Sequence, residues 1–212
     1  MICAPHDLIL LPNISAFHSD VEVPSWVKNS LNDTRTVVVR RGHQTWHHIP
    51  VGVRGFERSH RFGGYLDPKA DNFSLKITTP YELAEHRPWE KLASGRAKLP
   101  ALHALPQITK DFHGYHWGIA GSSGYELATG HETVKATSDL DILLKDCPKL
   151  SQKDAQDLLA RINTHGVHAD IQVVSGQNGF SLEEYANART QTVLVKTVTG
   201  PKLSEDPFGE EN

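Results

Sequence analysis

The chain has 212 residues, of which 38% are hydrophobic and 22% charged, and it carries a formal net charge of −3 at pH 7. This length can bury a sizeable core in one large or two small domains, and the composition is typical of a globular protein rather than a disordered one. The slightly negative charge argues against bulk electrostatic attraction to nucleic acid or to an anionic membrane, so we expect neither as a partner.

The cysteines and the N-terminal residues indicate a reducing compartment. Cys3 and Cys147 lie far apart and form no Cys-x-x-Cys pattern, so they support neither a disulfide framework nor a structural zinc site. The first apolar run, from Leu8 to Leu11, stops at Pro12 and is too short for a signal peptide or a membrane span. We therefore expect a cytoplasmic protein.

Residues 1–83 are predicted to form the smaller, β-rich domain. Short stretches rich in β-branched residues, separated by Gly, Pro, Asn and Asp, predict strands at Asp7–Leu11, Thr36–Arg40, His48–Val53 and Phe73–Ile77. Five arginines fall in or beside glycine-bearing turns of this half: Arg40, Arg41, Arg54, Arg58 and Arg61. Guanidinium forks suit phosphate oxygens, and we assign phosphate contacts to Arg54 and Arg58. The alternatives are solvated charges or contacts with an acidic protein.

Residues 84–212 are predicted to form a second domain that begins with a helical connector. The connector, within residues 81–106, is broken by Pro88, Pro100 and Pro106. After the connector, the elements of this domain are predicted in chain order: a strand at Trp117–Ala120, a turn at 121–124, a strand at Leu140–Leu144, a helix capped by Ser151 with Gly166 at its C-terminal end, and a strand at Val167–Val174. Strand, amphipathic helix and strand indicate an α/β or α+β domain.

Asp139 and Asp141 are the main candidates for catalysis and for metal binding. Side chains alternate along a strand, so these two carboxylates share one face while the intervening Leu140 points to the other. Asp170 belongs to the polar face of the next predicted strand, and three carboxylates can converge if the two strands are neighbours. Magnesium or manganese would relieve the repulsion between them, because carboxylate oxygens are ligands that such hard cations prefer.

An Asp-x-Asp pair alone is more often a solvated strand end. Here Ile142 and the leucines around the pair predict a buried opposite face, and Gly121-Ser122 lies just after an apolar strand. Glycine permits a close approach to a ligand, and turn amides with a serine hydroxyl can hold phosphate oxygens. Gly121 and Ser122 are therefore candidate substrate-binding residues, and phosphoryl or nucleotidyl transfer is the chemistry indicated.

Gly121-Ser122, Asp139-Leu140-Asp141 and the later Asp170 resemble the signature of the nucleotidyltransferase superfamily. Sixteen residues separate Ser122 from Asp139, which is longer than the usual superfamily gap. The longer gap is itself similar to one family, as are further segments: Pro5-His6-Asp7-Leu8, Val37 to Arg41, Ile49 to Gly55, Asp170 to Val173 and Lys196 to Pro201. Together they resemble the holo-acyl carrier protein synthases of malonate decarboxylase, the phosphoribosyl-dephospho-CoA transferases, nearly from end to end.

The resemblance implies a nucleotidyltransferase-fold C-terminal domain with a mixed sheet. It also implies transfer of phosphoribosyl-dephospho-CoA from 2′-(5-triphosphoribosyl)-3′-dephospho-CoA to a serine of the malonate decarboxylase acyl carrier protein, with release of diphosphate. By position, Asp139 and Asp141 match the family's catalytic aspartates. Asp170 would help to bind the metal or accept the serine proton.

Other functions remain open from the sequence. The same fold could serve the carrier of citrate lyase, a small molecule or a protein side chain, or it could be a catalytically silent binding module. Intact Asp139, Asp141 and Asp170 argue against a silent module, since such a module need not keep three charges on one polar face. Histidine clusters at His43, His47 and His48 and at His113 and His116 suggest a transition-metal site only weakly, because no cysteine accompanies them.

Overall fold

The computed structural model describes residues 2–57, 59–189 and 192–209. Within it the chain divides into two compact units, residues 1–79 and 80–212, and each unit has its own hydrophobic cluster. This division follows Thr79, whereas the sequence placed the domain boundary after Leu83. Arg58, one of the two arginines assigned to phosphate, lies outside the described residues.

The first unit is built on a five-stranded antiparallel sheet with one longer helix. Its elements in chain order are β1 (Leu8–Leu10), α1 (Ser25–Thr34), β2 (Thr36–Val39), β3 (Ile49–Arg54), β4 (Arg61–Leu66) and β5 (Lys76–Thr78), with a 3-10 turn at Ile14–Ala16. The strand order is β4-β3-β2-β1-β5. Val27 and Leu31 of α1 pack in the same buried cluster as Val37, Val51 and Val53, so this face of the sheet is its interior.

The second unit is built on a six-stranded mixed sheet with helices. Its elements are α2 (Pro80–His86), α3 (Pro100–His103), α4 (Leu105–Ile108), β6 (His116–Ile119), α5 (Gly121–Thr129), β7 (Leu140–Lys145), α6 (Gln152–Asn163), β8 (Ala169–Ser175), β9 (Asn178–Ser181), α7 (Leu182–Ala186), β10 (Val193–Thr197) and β11 (Gly200–Ser204), with 3-10 turns at Pro88–Lys91 and Arg96–Lys98. The strand order is β11-β10-β9-β8-β7-β6. β7 and β8 run parallel and the other neighbouring pairs antiparallel. Helices on a mixed sheet agree with the predicted α+β class.

The β7-α6-β8 unit is the part of the fold that positions the predicted carboxylates. Helix α6 begins after Ser151, whose hydroxyl accepts a hydrogen bond from the Asp154 amide at 3.1 Å, so the predicted N-cap is confirmed. Gly166 has φ +77°, but the helix has already ended at Asn163. Because β7 and β8 are parallel and joined by the crossover through α6, both strands start at the same end of the sheet. In the described part of the chain, no helix is long and apolar enough to cross a membrane.

Candidate active site

Strands β7 and β8 of the second unit point their acidic residues away from its main core. In β7, Leu140, Ile142 and Leu144 are fully buried in the main hydrophobic cluster, and in β8 the same cluster takes Ala169, Ile171 and Val173. Because side chains alternate along a strand, Asp141 and Asp170 lie on the opposite face. Both are half-buried there.

Strand register brings these two carboxylates together. Asp141 and Asp170 are direct partners across the parallel β7–β8 pair, in which strands lie about 4.8 Å apart. Asp139 immediately precedes β7 and is also half-buried. The two strands are therefore neighbours, which is the condition that convergence of the carboxylates requires.

No complete set of metal ligands is found around these carboxylates among the described residues. Over residues 2–57, 59–189 and 192–209, no three His, Cys, Asp or Glu side chains are arranged so that they could hold a metal ion together. Magnesium does not need such a complete set, because it is commonly bound through one or two carboxylates, with substrate phosphates and water as further ligands. Asp139 and Asp141 fit that kind of partial site, and the histidine clusters supply none.

Residues 121–124, predicted as a turn, form the first turn of α5, and Gly121 sets this helix against Asp141. Gly121 has φ +59°, in the left-handed region that favours glycine. A Cβ built on it would lie 2.8 Å from the Asp141 Cβ and would overlap the Asp141 carboxylate. The Ala120 amide donates a 2.9 Å hydrogen bond to the Asp141 carbonyl, which ties the helix start to β7. Only glycine lets the two segments meet this closely.

The N-terminus of α5 is suited to an anion. Its N-cap residue is Ala120, which has no side chain that could cap the helix, whereas Ser151 caps α6. The first amides of a helix have no partners within the helix, and together with the helix dipole they attract phosphate groups. Ser122 lies in this first turn and is buried, so Gly121 and Ser122 present backbone donors beside Asp141.

A buried ion pair, which the sequence analysis did not identify, holds the segment between α5 and Asp139. Glu126 of α5 is 3% exposed and accepts hydrogen bonds from Arg96 Nε at 2.8 Å and Arg96 Nη2 at 2.6 Å. The same carboxylate accepts the amides of Thr133 and Val134, both at 2.8 Å. The Thr133 hydroxyl donates to the Ser122 carbonyl at 3.0 Å, so the segment is also tied to the first turn of α5.

Electrostatics keep this pair charged. Burial alone would raise the pKa of Glu126, but the hydrogen bonds from Arg96, Val134 and Thr133 outweigh burial and bring it below its ordinary value. The hydrogen bond to Glu126 raises the pKa of Arg96. Glu126 is thus an anchor for the chain leading to Asp139, and its oxygens are already occupied by protein donors.

Gln172 is a second residue that the sequence analysis left unassigned. It lies two positions after Asp170 in β8 and therefore on the same face, where its register partner in β7 is Leu143. Its Oε1 atom is buried and has no hydrogen-bond partner among the described residues. A buried amide oxygen without a donor is costly, so this atom is available to a hydroxyl or amide of a ligand.

The predicted arginines lie in the first unit. Arg54 ends β3 and pairs in register with Arg61 of β4, and the carbonyl of Arg54 accepts a hydrogen bond from the Ser30 hydroxyl. Arg40 follows β2 and is exposed, and Arg41 is half-buried. Burial lowers the pKa of Arg41 from its ordinary value. Arg54 is thus on the same sheet as Arg40 and Arg61, and Gly121, Ser122 and the three aspartates belong to the second unit.

Residues 83–207 match the family model described as "Phosphoribosyl-dephospho-CoA transferase MdcG C-terminal domain". The chain belongs to this family. Among relatives named phosphoribosyl-dephospho-CoA transferase, the protein of Klebsiella pneumoniae (strain 342) is 34% identical over 207 residues, which are 98% of this chain and 97% of that protein. The relative from Pseudomonas putida is 32% identical, covering 96% of this chain and 94% of its own, and that from Pseudomonas aeruginosa is 32% identical, covering 96% and 93%. No solved structure matches the chain.

The family match covers both the acidic site and its supports. The matched residues 83–207 include Gly121, Asp141 and Asp170 together with Arg96 and Glu126. The full-length relatives extend the similarity over the first unit as well. The resemblance expected from the sequence motifs is therefore confirmed.

Proposed function

We propose that this protein transfers the phosphoribosyl-dephospho-CoA group from 2′-(5-triphosphoribosyl)-3′-dephospho-CoA to a serine of the malonate decarboxylase acyl carrier protein. A bond forms between the serine oxygen and the α-phosphorus of the donor. The bond from that phosphorus to the bridging oxygen of the leaving diphosphate breaks. The carrier retains the group through a phosphodiester, and its hydroxyl proton is released.

The observation that supports this proposal most strongly is the junction of Gly121 with Asp141. It places a helix N-terminus that no side chain caps directly against a carboxylate that is paired in register with Asp170. Phosphate oxygens are attracted to the first, and a divalent cation or a proton to the second. Family membership then connects this chemistry with the donor named above.

In the proposal, each residue of this junction has its own task. The amides at Gly121 and Ser122 hold phosphate oxygens of the donor and orient the α-phosphorus for in-line attack. Asp170 accepts the proton of the serine hydroxyl as the new bond forms. Gln172 accepts a hydrogen bond from a hydroxyl or amide of the donor. Arg54 and Arg58 belong to residues 1–79 and not to this junction, and a contact of their guanidinium forks with phosphate is a separate part of the proposal.

Asp139 and Asp141 would hold the divalent cation, magnesium or manganese. Bound there, it would neutralise negative charge that develops on the leaving diphosphate. The two carboxylates would supply its oxygen ligands, and Asp141 lies against the first residue of α5. Dependence of the transfer on such a metal is part of the proposal and follows from the donor set, which contains hard oxygen ligands and no thiolate.

The test is a transfer assay read by mass spectrometry of the carrier. The protein is mixed with apo-carrier of malonate decarboxylase, the triphosphoribosyl donor and magnesium, and in parallel with apo-carrier of citrate lyase. We expect the malonate decarboxylase carrier to gain the mass of the phosphoribosyl-dephospho-CoA group. Transfer to the citrate lyase carrier alone would overturn the named acceptor, and donor binding without diphosphate release would indicate a silent module.

Asp139→Asn and Asp141→Asn are expected to lower the rate of this transfer by at least about 100-fold, the usual cost of losing an electrostatic contact to the transition state. Asp146→Asn is the matched control, since Asp146 is an exposed aspartate just beyond the other end of β7. Asp146 has φ +49°, which asparagine tolerates well. Near-normal transfer by either active-site variant would contradict the assignment.

A further inference from the structure

Arg40 lies across two glycines of the first unit. In the sheet, Val38 of β2 pairs with Gly52 of β3, and Gly52 pairs with Gly63 of β4. A Cβ built on Gly52 would be 3.4 Å from Arg40 Cδ, and one built on Gly63 would overlap Arg40 Nη1. The side chain of Arg40 therefore runs across β3 to β4 in the space that side chains at these two positions would fill.

This arginine has no carboxylate partner among the residues that the structure describes. It is exposed, and it makes no ion pair and no side-chain hydrogen bond with any residue that the structure describes. Arg96 differs, since Glu126 neutralises it. Two glycines side by side weaken a sheet, so the space that they leave for this arginine has a cost. A cation seated at that cost without a protein anion is suited to an anion that comes from outside.

Two further arginines lie on the same face of the sheet. Arg54 is two residues after Gly52, Arg61 is two residues before Gly63, and the two arginines are register partners. Alternation places all four on the face opposite the interior one, where Val51 and Val53 are buried. Each arginine backbone is thus about 7 Å along its strand from the neighbouring glycine.

The distribution of charge along the chain agrees with anion binding in this unit. Residues 1–79 contain nine Lys and Arg against seven Asp and Glu, whereas residues 80–212 contain thirteen against eighteen. The second unit has the acidic residues proposed for metal binding and a net negative charge. The first unit carries the excess of positive charge that an anionic ligand needs.

We infer that Arg40, seated on Gly52 and Gly63, binds a phosphate group of a diphosphate- or triphosphate-containing ligand, with Arg54 and Arg61 beside it. A guanidinium fork matches two oxygens of one phosphate, and the glycines let that phosphate approach the sheet closely. A single surface carboxylate would gain little from an exposed arginine, because such pairs are screened by solvent, whereas a polyphosphate offers several charged oxygens to several arginines at once. The inference rests on the proposed function only in naming the donor as the natural source of the phosphates.

The test measures binding of inorganic triphosphate and of inorganic diphosphate to the full chain by calorimetry at low ionic strength. Arg40→Met keeps much of the apolar stem and removes the charge, and Gly63→Ala keeps the charge but displaces the guanidinium. We expect both variants to weaken triphosphate binding by about 10-fold or more. Arg40→Lys should fall between them and the unchanged protein, since an ammonium keeps the charge and loses the fork.

Matched controls show whether the loss is specific. Lys28→Met removes an exposed cation from α1 of the same unit, and Gly95→Ala adds a methyl group where nothing lies within 4 Å. Both should bind triphosphate within twofold of the unchanged protein. Unaltered triphosphate binding by Arg40→Met and Gly63→Ala overturns the inference. A loss of apo-carrier binding in these variants without a loss of triphosphate binding overturns it as well.

Failure of this inference and failure of the proposed function give different results. Triphosphate binding that depends on Arg40, in a protein that transfers nothing to either carrier, would retain the phosphate seat and reject the transferase. Normal transfer, together with triphosphate binding that does not depend on Arg40, would support the transferase and reject the phosphate site at Arg40. A competition experiment tests whether the phosphate that Arg40 binds belongs to the donor. If it does, triphosphate should compete with the donor in the unchanged protein and much less in Arg40→Met.

Discussion

Gly121 is the residue on which the geometry of the candidate active site depends most directly. Gly121→Ala would require a left-handed conformation of alanine, at a cost of roughly 1–2 kcal/mol, and its methyl group would collide with the Asp141 carboxylate. We expect transfer activity to fall by at least about 100-fold, because a misplacement of about 1 Å at a reacting centre has that effect. Activity and the free energy of unfolding are measured on the same preparation.

Gly130→Ala is the control for Gly121→Ala. Gly130 ends α5 with φ +72°, so alanine there pays a similar conformational cost, but nothing lies within 4 Å of the added Cβ. The two variants should be destabilised by comparable amounts, and only Gly121→Ala should lose activity. Equal losses of activity in both would show that strain in α5, and not contact with Asp141, is responsible.

At the residue scale, the sequence predicts what depends on local periodicity and misses what depends on tertiary pairing. Asp141 and Asp170 could be placed on one face because strand alternation needs only neighbouring residues. Arg96 and Glu126 could not be paired in advance, since they lie 30 positions apart and only the fold brings them within hydrogen-bond distance. Gln172 was missed for the same reason: burial of its Oε1 depends on the elements that surround β8.

At the scale of elements, the segment between α5 and β7 explains the unusually long gap between Ser122 and Asp139. Glu126, Arg96 and Thr133 fix the first part of this segment, and a 2.9 Å hydrogen bond from the Lys135 amide to the Ser138 hydroxyl shapes the turn before Asp139. The extra residues are therefore anchored to α5 rather than loose. We regard Arg96 and Glu126 as positioning residues, because Glu126 acts through the segment that carries Asp139.

Arg96→Met is expected to destabilise the protein by about 3 kcal/mol, because it leaves the buried Glu126 carboxylate without its ionic partner. Arg96→Met combined with Glu126→Gln should recover part of this loss, since the uncompensated charge is removed. Urea unfolding measures both. Arg87→Met is the control, because the one ion pair of Arg87 within the described part of the chain is with the exposed Glu90, at 3.9 Å. A double variant less stable than Arg96→Met would contradict the pairing.

The same pair makes a prediction about pH. The pKa of Glu126 is lower in the folded protein than in the unfolded chain, so its contribution to stability is present above the unfolded pKa of about 4.3. That contribution is lost as the pH falls through the lower folded pKa. In Arg96→Met the hydrogen bonds from Arg96 are gone while burial still raises the pKa, so less stability is lost when Glu126 is protonated. The difference in the free energy of unfolding between the unchanged protein and Arg96→Met should therefore shrink as the pH falls. Urea midpoints from pH 7 to pH 3 measure the difference.

Predictions of elements succeeded where hydrophobic spacing was clear. Helix α6 was found from the spacing of its buried face and the Ser151 cap, and both are observed. Strand β4 was missed because its sequence, RFGGYL, contains two glycines, which are unusual within a strand. Residues 121–124 were predicted as a turn from their glycines and serines, but their packing against β7 stabilises a helix.

At the scale of the whole molecule, the two units have separate hydrophobic clusters with no residue in common. The match to the family model begins at residue 83, close to the boundary that the sequence suggested, yet the compact second unit begins at Pro80. The difference concerns the first turn of α2. A Cβ on Gly118 would lie 2.7 Å from the Pro80 carbonyl carbon, so β6 carries a glycine where α2 begins.

The first residues of α2 should therefore decide whether the second unit folds alone. Tyr81 packs with Ala120, Leu143 and Val174, and Leu83 is buried. A fragment of residues 80–212 keeps these contacts, and we expect it to unfold cooperatively in thermal circular dichroism. A fragment of residues 84–212, cut at the boundary suggested by sequence, should be less stable by about 3 kcal/mol, since it loses the apolar burial of both side chains. Equal midpoints for the two fragments would show that the first residues of α2 add nothing to the stability of the second unit, and that the core around Ile142 is sufficient for its folding.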